Sequence, residues 1–345
     1  MVKYVIKRIL LALVTAFIIL SLTFILIKLL PPVKTIGQDS VLFSFYEREV
    51  RLGYVATYST AQANLGDPLW TYSPDGKTTT YYYSVPVMQQ YFNWLKNIVT
   101  KWDWGYSQKI RQNVSATVLI AEGLATSIKI NIVSVIISVP IGIALGIWAA
   151  LKKNTATDHI ISTLVMIFIS VPSFILITLL MLLFCYSNKV LPSQFPLPTD
   201  PPSKQALGYI LPVVCLSFGS ICGYCRFTRA ELCEVMSSEY LLLARTKGLT
   251  RKQAILRHAL RNAMVPIFPS ILAEFIGLLG GSMILEQLYG IPGIGKLFIS
   301  ALNAKDYNVL FVDMAIFTTL GLLAGIILDL SYGFIDPRIR MGAKK

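Results

Sequence analysis

The sequence predicts an all-α integral membrane protein with six spanning helices and one long segment outside the bilayer between the first two. Three observations carry that expectation. Of 345 residues, 54% are apolar and only 14% charged, whereas soluble domains carry roughly a quarter charged residues. The apolar residues gather into blocks of about 20 or more, the length that crosses a hydrocarbon core of about 30 Å. Basic residues collect at the ends of alternate blocks, where they set orientation in a bilayer. The formal charge of +13 therefore does not point to nucleic acid, because no basic stripe carries the interleaved aromatics such a groove needs.

The first block, 9–30, follows Lys3, Lys7 and Arg8. It exceeds a signal h-region of about 7–15 residues, and no small-residue cleavage site precedes Pro31-Pro32, so it reads as a retained signal-anchor helix. Five further blocks lie at about 117–151, 158–185, 208–232, 264–285 and 309–333. An even number of spans returns the C-terminus to the starting side. Alternate assignment places Lys3, Lys7 and Arg8 on one face with Lys152 and Lys153. The same face takes Arg226, Arg229, Arg245, Lys247, Arg251, Lys252, Arg257 and Arg261, and then Arg338, Arg340, Lys344 and Lys345. The short opposite loops hold Lys189 and Lys204, then Lys296 and Lys305. By the positive-inside rule the first face is cytoplasmic, with both termini on it. The expected division is an N-terminal span at 1–30, an extracytoplasmic cap at 31–116, a five-helix core at 117–335 and a cytoplasmic tail at 336–345.

The cap is polar, with turn chemistry at Ser73-Pro74-Asp75-Gly76 and an amphipathic stretch near 91–99. Cys185, Cys215, Cys222, Cys225 and Cys233 all lie in or beside apolar blocks, so no disulfide framework is implied. Cys222 and Cys225 form a C-x-x-C whose place inside a span makes them small packing residues. His159 and His258 are too few for a histidine metal cluster. G-x-x-x-G spacings at Gly142/Gly146, Gly277/Gly281 and Gly321/Gly325 allow close helix approach.

The most informative stretch is basic and lies at 237–264. Ser238 stands where it can cap a short helix that opens on Glu239, and Gly248 can take the left-handed conformation that ends it. Thr250 with Gln253 makes a capping box for a second helix running toward Pro266. A helix, a glycine bend and a second helix thus protrude from the bundle. Attraction to lipid headgroups alone requires less structure than this, so a soluble docking partner is the sharper reading.

The run Tyr240, Ala244-Arg245-Thr246-Lys247-Gly248, His258-Ala259-Leu260-Arg261-Asn262 and Pro266 resembles the coupling segment of the oligopeptide and dipeptide ABC permeases. The resemblance continues through Gly280-Gly281, Glu286, Gly290-Ile-Pro-Gly-Ile-Gly295, Asp306-Tyr307, Asp329 with Tyr332, and Asp336-Pro-Arg-Ile-Arg340. Upstream it takes in Leu65-Gly-Asp-Pro68, Trp102-Asp-Trp-Gly-Tyr-Ser107, Ser170-Val-Pro-Ser-Phe174 and Tyr224-Cys-Arg-Phe-Thr-Arg229. The chain departs from the family pattern at an insertion over 72–88, after Pro31-Pro32, at Gly325-Ile326 and at Tyr289, where Phe is usual.

The resemblance implies a type I ABC importer transmembrane fold in a multi-pass protein of a bacterial inner or plasma membrane. It also implies a helix from Glu239 to Gly248 seated in a groove of an ATP-binding subunit, with Glu239, Tyr240, Ala244, Arg245, Lys247 and Gly248 as coupling residues. The partners it implies are a second homologous permease, two ATP-binding subunits, an extracytoplasmic substrate-binding protein and membrane lipid, with ATP and magnesium bound on the ATPase subunits and no cofactor on this chain. Peptides are the implied substrates, with glutathione or a nickel chelate as the alternatives within the family.

Residues 290–296 also satisfy G-x-x-x-x-G-K, the start of a nucleotide-binding loop. Leu297 stands where Ser or Thr should meet magnesium, and no buried strand precedes the loop, so the reading fails. Lys129, Glu274, Asp313 and Asp329 fall in or near the spans, where a charge costs roughly 2.5–3.5 kcal/mol unless it faces protein or water. Glu274 is the most central and is the candidate for the translocation path, with an internal packing role as the competing reading. A secondary transporter would show internal symmetry with interrupted helices, which is not evident. An intramembrane enzyme would need a constellation of nucleophile and base, and Ser170 and Ser173 flank Pro172 without a base nearby.

Overall fold

The computed structural model describes residues 2–30, 39–75, 77–277 and 281–335. The segment after Pro31-Pro32, Gly76 of the expected turn, Gly280 and the tail 336–345 lie outside the described residues. Contacts divide the chain into two units. One comprises Ile6–Glu122 and Leu297–Thr319, and the other Met1–Val5, Gly123–Lys296 and Leu320–Lys345.

Among the described residues, five helices are long and apolar enough to span a membrane, and a sixth span arises if one bent pair counts as one. The first is α1 (Val2–Leu29), whose Leu10, Leu13, Phe17, Leu22 and Leu26 stand exposed, as suits a helix solvated by lipid. Its Phe24 is buried and stacks on Trp94 at 4.8 Å, and Ser21 shares a 2.8 Å hydrogen bond with Tyr91. These contacts tie α1 to the region that follows it.

That region is a small α+β layer. It holds α2 (Asp39–Leu52), β1 (Val55–Tyr58), β2 (Trp70–Tyr72), β3 (Thr80–Ser84) and α3 (Val87–Lys101). The strands form an antiparallel sheet in the order β1-β3-β2, with Val55 opposite Ser84 and Trp70 opposite Tyr82. The amphipathic stretch expected near 91–99 is part of α3, whereas no sheet was expected. The aromatic and β-branched residues Trp70, Thr71, Tyr72, Tyr81, Tyr82 and Tyr83 are what favour the strands. Leu42, Tyr46, Val55 and Tyr82 pack its core, and the Tyr46 and Trp70 rings stack at 5.1 Å. Asn93 and Asn97 on α3 donate to the carbonyls of Gly53 and Leu52, which close the end of α2.

The same unit contains a second anchor. Asp306 is fully buried, and its Oδ2 accepts hydrogen bonds from Ser107 Oγ (2.6 Å), Gln108 N (3.0 Å), Lys109 N (2.9 Å) and Ile110 N (3.2 Å). Successive amides turned toward one carboxylate make an anion nest, filled here by the chain itself. Asp306 thereby fastens residues 107–110 to the end of α12 (Ile294–Ala304) and the start of α13 (Tyr307–Ile335).

In the other unit, α4 (Ala116–Leu151, from Gly123 onward) packs on α7 (Pro202–Met236). A Cβ on Gly142 would lie 2.7 Å from Tyr224 Cβ, and one on Gly146 would lie 2.6 Å from the Cys225 carbonyl oxygen. The Gly142/Gly146 spacing therefore marks a real helix crossing. The pair Gly277/Gly281 does not. Gly277 ends a helix and Gly281 lies beyond it with φ +69°, so the two share no helical face.

The third apolar block, expected over 158–185, is bent: it consists of α5 (Ala156–Ile169) and α6 (Ser173–Leu180), the latter continued by a π-helical turn Met181–Ser187. The two halves meet at 96°. Pro172, at the N-cap of α6, has no N–H with which to continue the ladder from α5, so the chain turns there. Ile177, Cys185, Leu211, Cys215, Leu285, Tyr289 and Ile291 form the core around α6 and α7. The five cysteines are free thiols, and Cys222 and Cys225 are buried packing residues, as their place in an apolar block implied.

Candidate coupling segment and the loop at Glu286

The basic stretch folds as α8 (Glu239–Thr246), a turn, α9 (Arg251–Ala254), a π-helical turn Ile255–Ala259 and α10 (Leu260–Gly277). The expected capping box is present: Thr250 Oγ1 accepts from Gln253 N at 3.3 Å and Gln253 Oε1 from Thr250 N at 3.1 Å. Gly248 has φ +94°, the left-handed conformation that closes the bend. Ser238 occupies the N-cap of α8, but its hydroxyl donates backward to the Val235 carbonyl at 2.6 Å, so its side chain does not cap the helix. That hydrogen bond instead stitches α8 to the end of α7.

α8 is held through one buried side chain. Leu241 packs with Ala150, Leu232, Ala254, Ile255, Ala259 and Ala263. The remaining surface is open: Glu239, Tyr240, Arg245, Lys247 and Gly248 are exposed and Ala244 is half-buried. Leu242 and Leu243 are 61% and 56% exposed. Four of the six predicted coupling residues, Glu239, Tyr240, Ala244 and Arg245, lie on α8, and Lys247 and Gly248 form the turn that follows it.

Glu274 sits on α10, half-buried, and accepts a short hydrogen bond from Ser220 Oγ of α7, with the Tyr224 hydroxyl also within its reach. Asp313 is fully buried and Asp329 half-buried, whereas Lys129 is exposed.

Three interactions here were not read from the sequence. Asp158 on α5 receives Arg229 of α7 through two hydrogen bonds of 2.5 and 2.8 Å, and Asn154 N and Ser162 Oγ complete its shell. Arg229 counted in the sequence as loop charge, yet it lies inside α7, and only the partner carboxylate explains it. Buried Glu286 on α11 (Met283–Tyr289) is the second. Its carboxylate accepts from Ser127 Oγ (2.7 Å), Ser282 N (3.2 Å) and Lys296 N (3.0 Å). Burial pushes its carboxyl up from the usual range, and the hydrogen bonds from Ser127, Lys296 and Ser282 oppose that by favouring the charged form. Gly281, Gly293 and Gly295 crowd this carboxylate, and a Cβ on Gly293 would collide with it. The third is Tyr289, whose hydroxyl donates to the Pro192 carbonyl at 2.9 Å, which accounts for Tyr where its family resemblance would put Phe.

The Glu286 shell also explains why Gly290 to Lys296 is not a nucleotide loop. A helix precedes it rather than a strand, the Lys296 amide is turned onto Glu286, and Lys296 Nζ donates to the Gly290 carbonyl at 3.1 Å. The donors that a phosphate would need are already committed.

Five apolar spans, or six with the bent pair counted as one, and a solvent-exposed basic elbow are the architecture of a multi-pass membrane protein. A family profile described as "Binding-protein-dependent transport system inner membrane component" matches residues 142–341, and the chain belongs to that family. It is 32% identical over 340 residues to the oligopeptide transport system permease protein OppB of Haemophilus influenzae, covering 99% of this chain and 100% of that one. It is 30% identical over 344 residues to the dipeptide transport system permease protein DppB of Bacillus subtilis, covering 100% of both. A solved structure described as inward facing conformations of the MetNI methionine ABC transporter matches with TM-score 0.51 and 18% identity, over 64% of this chain and 97% of that chain. The fold is that of an ABC importer membrane subunit, as the sequence predicted.

Proposed function

We propose that this chain is the translocation subunit of an ATP-driven importer of oligopeptides or dipeptides, working without catalytic chemistry of its own. The printed names of its full-length relatives support the substrate class. The observation that carries the mechanism is α8, a helix whose buried side chain is Leu241 while Tyr240, Leu242 and Leu243 stand exposed beside Arg245 and Lys247. Adjacent exposed leucines beside basic residues suit a protein groove better than solvent. The partners are a second permease of similar fold, two ATP-binding subunits that hold ATP and magnesium, and an extracytoplasmic binding protein that delivers substrate. Both termini and α8 face the cytoplasm, in keeping with the basic residues on that side. Closure of the ATPase pair pushes on α8, and the Gly248 elbow passes that movement into α10.

The test is a single cysteine at Lys247 in a chain otherwise free of cysteine, reconstituted with the ATP-binding subunits. It should cross-link to those subunits and react with an impermeant maleimide only from the cytoplasmic side. Replacing Leu242 and Leu243 together by Ser should lower substrate-stimulated ATP hydrolysis at least about tenfold while membrane insertion is unchanged. Labelling from the outside, or no cross-link in an intact complex, would refute the scheme.

Glu274 is the proposed contact with substrate along the path, because its hydrogen-bonded carboxylate sits between α7 and α10. Glu274→Gln should then change the relative uptake of peptides that differ in charge. Equal uptake across such a series removes Glu274 from the path and leaves it a packing group.

A further inference from the structure

The unit that contains α1 to α3 holds a partly open cavity of about 410 Å³, within the range of about 300–1,000 Å³ in which small-molecule sites fall. Its aromatic wall includes Phe24, Tyr46, Tyr54, Trp94, Trp104 and Phe311. Lys28 and Glu49 also line it, so that one space carries a base and an acid. The Lys28 ammonium lies over the Tyr54 ring at 4.3 Å and near Phe24 at 5.8 Å. Glu49 is 7% exposed, and the charges of Lys28 and Arg48 act on it. Trp94 is 4% exposed, and its indole N–H finds no acceptor among the described residues. Each of these groups costs stability when taken from water without a partner, and the cost falls when a solute supplies one. A core needing only to hold two helices on a sheet would be more stable with apolar side chains in these places.

We propose that this cavity is a binding site for a small zwitterion of dipeptide size. The ligand's carboxylate meets Lys28 and the Trp94 N–H, its ammonium meets Glu49 beside the aromatic faces, and an apolar side chain packs on Phe24, Trp104 and Phe311. The choice of a peptide as occupant rests on the peptide reading above. A phosphatidylethanolamine headgroup offers the same pair of charges, so the experiment separates the two sources.

The test uses the full chain in nanodiscs of phosphatidylglycerol, a lipid with no ammonium group, titrated with Ala-Phe while tryptophan emission is followed. Binding should be saturable. It should weaken at least about tenfold in Glu49→Gln and Lys28→Met, and by a similar factor for the N-acetylated and the C-amidated peptide. The modified peptides act on the unaltered protein, so the question is answered even if a variant fails to fold. The proposal is overturned by an unsaturable response, by equal affinity for the doubly blocked peptide, or by glycerophosphoethanolamine binding where Ala-Phe does not. Uptake by the complete importer is measured separately. Intact peptide uptake with no binding here overturns the cavity alone, whereas binding here without peptide uptake supports the cavity and counts against the peptide reading.

Discussion

Glu49 and Glu286 are both buried acids, and their surroundings separate their roles. Glu286 is met by a hydroxyl and two backbone amides, which makes it a fastener for the loop that follows it. Glu49 faces the cavity, and burial raises its pKa above the usual 4.5 against the opposing pull of Lys28 and Arg48. Between 4.5 and that higher folded value, the native chain keeps a proton that the unfolded chain has lost, so stability falls as pH rises through the window. Glu49→Gln mimics the protonated acid and should flatten that slope. Thermal unfolding in detergent from pH 4.5 upward should show the variant gaining on the parent as pH increases, and parallel curves would show that Glu49 titrates as it does in the unfolded chain. Neither role was legible in the sequence. Glu49 sits in the charged run Glu47-Arg48-Glu49, which reads as a surface, and the Ser127 that grips Glu286 is 159 positions away along the chain.

Helices obeyed the sequence where a single chemical rule decides them. The capping box at Thr250 and the left-handed Gly248 follow from local chemistry, and both are present. Ser238 had two choices, and the carbonyl of Val235 won its hydroxyl. Pro172 ends the ladder of α5, yet the apolar block over 158–185 reads as unbroken, because the angle is set by packing that no pattern of apolar residues reports. Glycine pairs show the same divide. At Gly146 a Cβ would press on the Cys225 oxygen at 2.6 Å and Thr228 Cβ at 2.7 Å, whereas at Gly321 and Gly325 it would meet nothing within 4 Å. Gly146→Val should therefore cost about 1–3 kcal/mol through overpacking, and Gly321→Val should stay within about 0.5 kcal/mol for the isolated chain. Unfolding of the two variants by a graded denaturant distinguishes them. Equal losses would mean that α4 and α7 do not meet as described.

At the scale of the whole chain, the membrane half was legible because bilayer thickness imposes a length and an apolar composition on every span. The segment between the first two spans has no such external ruler. Its sheet pairs β1 with β3 rather than with its sequence neighbour β2, and its core is assembled from side chains of α2 and all three strands. Such non-local pairing leaves little trace in a single sequence. The loop from Gly290 to Lys296 carries a different lesson. Its amides are already committed to the chain itself, that of Lys296 to Glu286 and that of Ile294 to Ser127, as if a resident anion had been soldered into place. On the function proposed above, nucleotide is therefore sensed elsewhere, and news of the cell's energy would reach this chain as a mechanical push on α8.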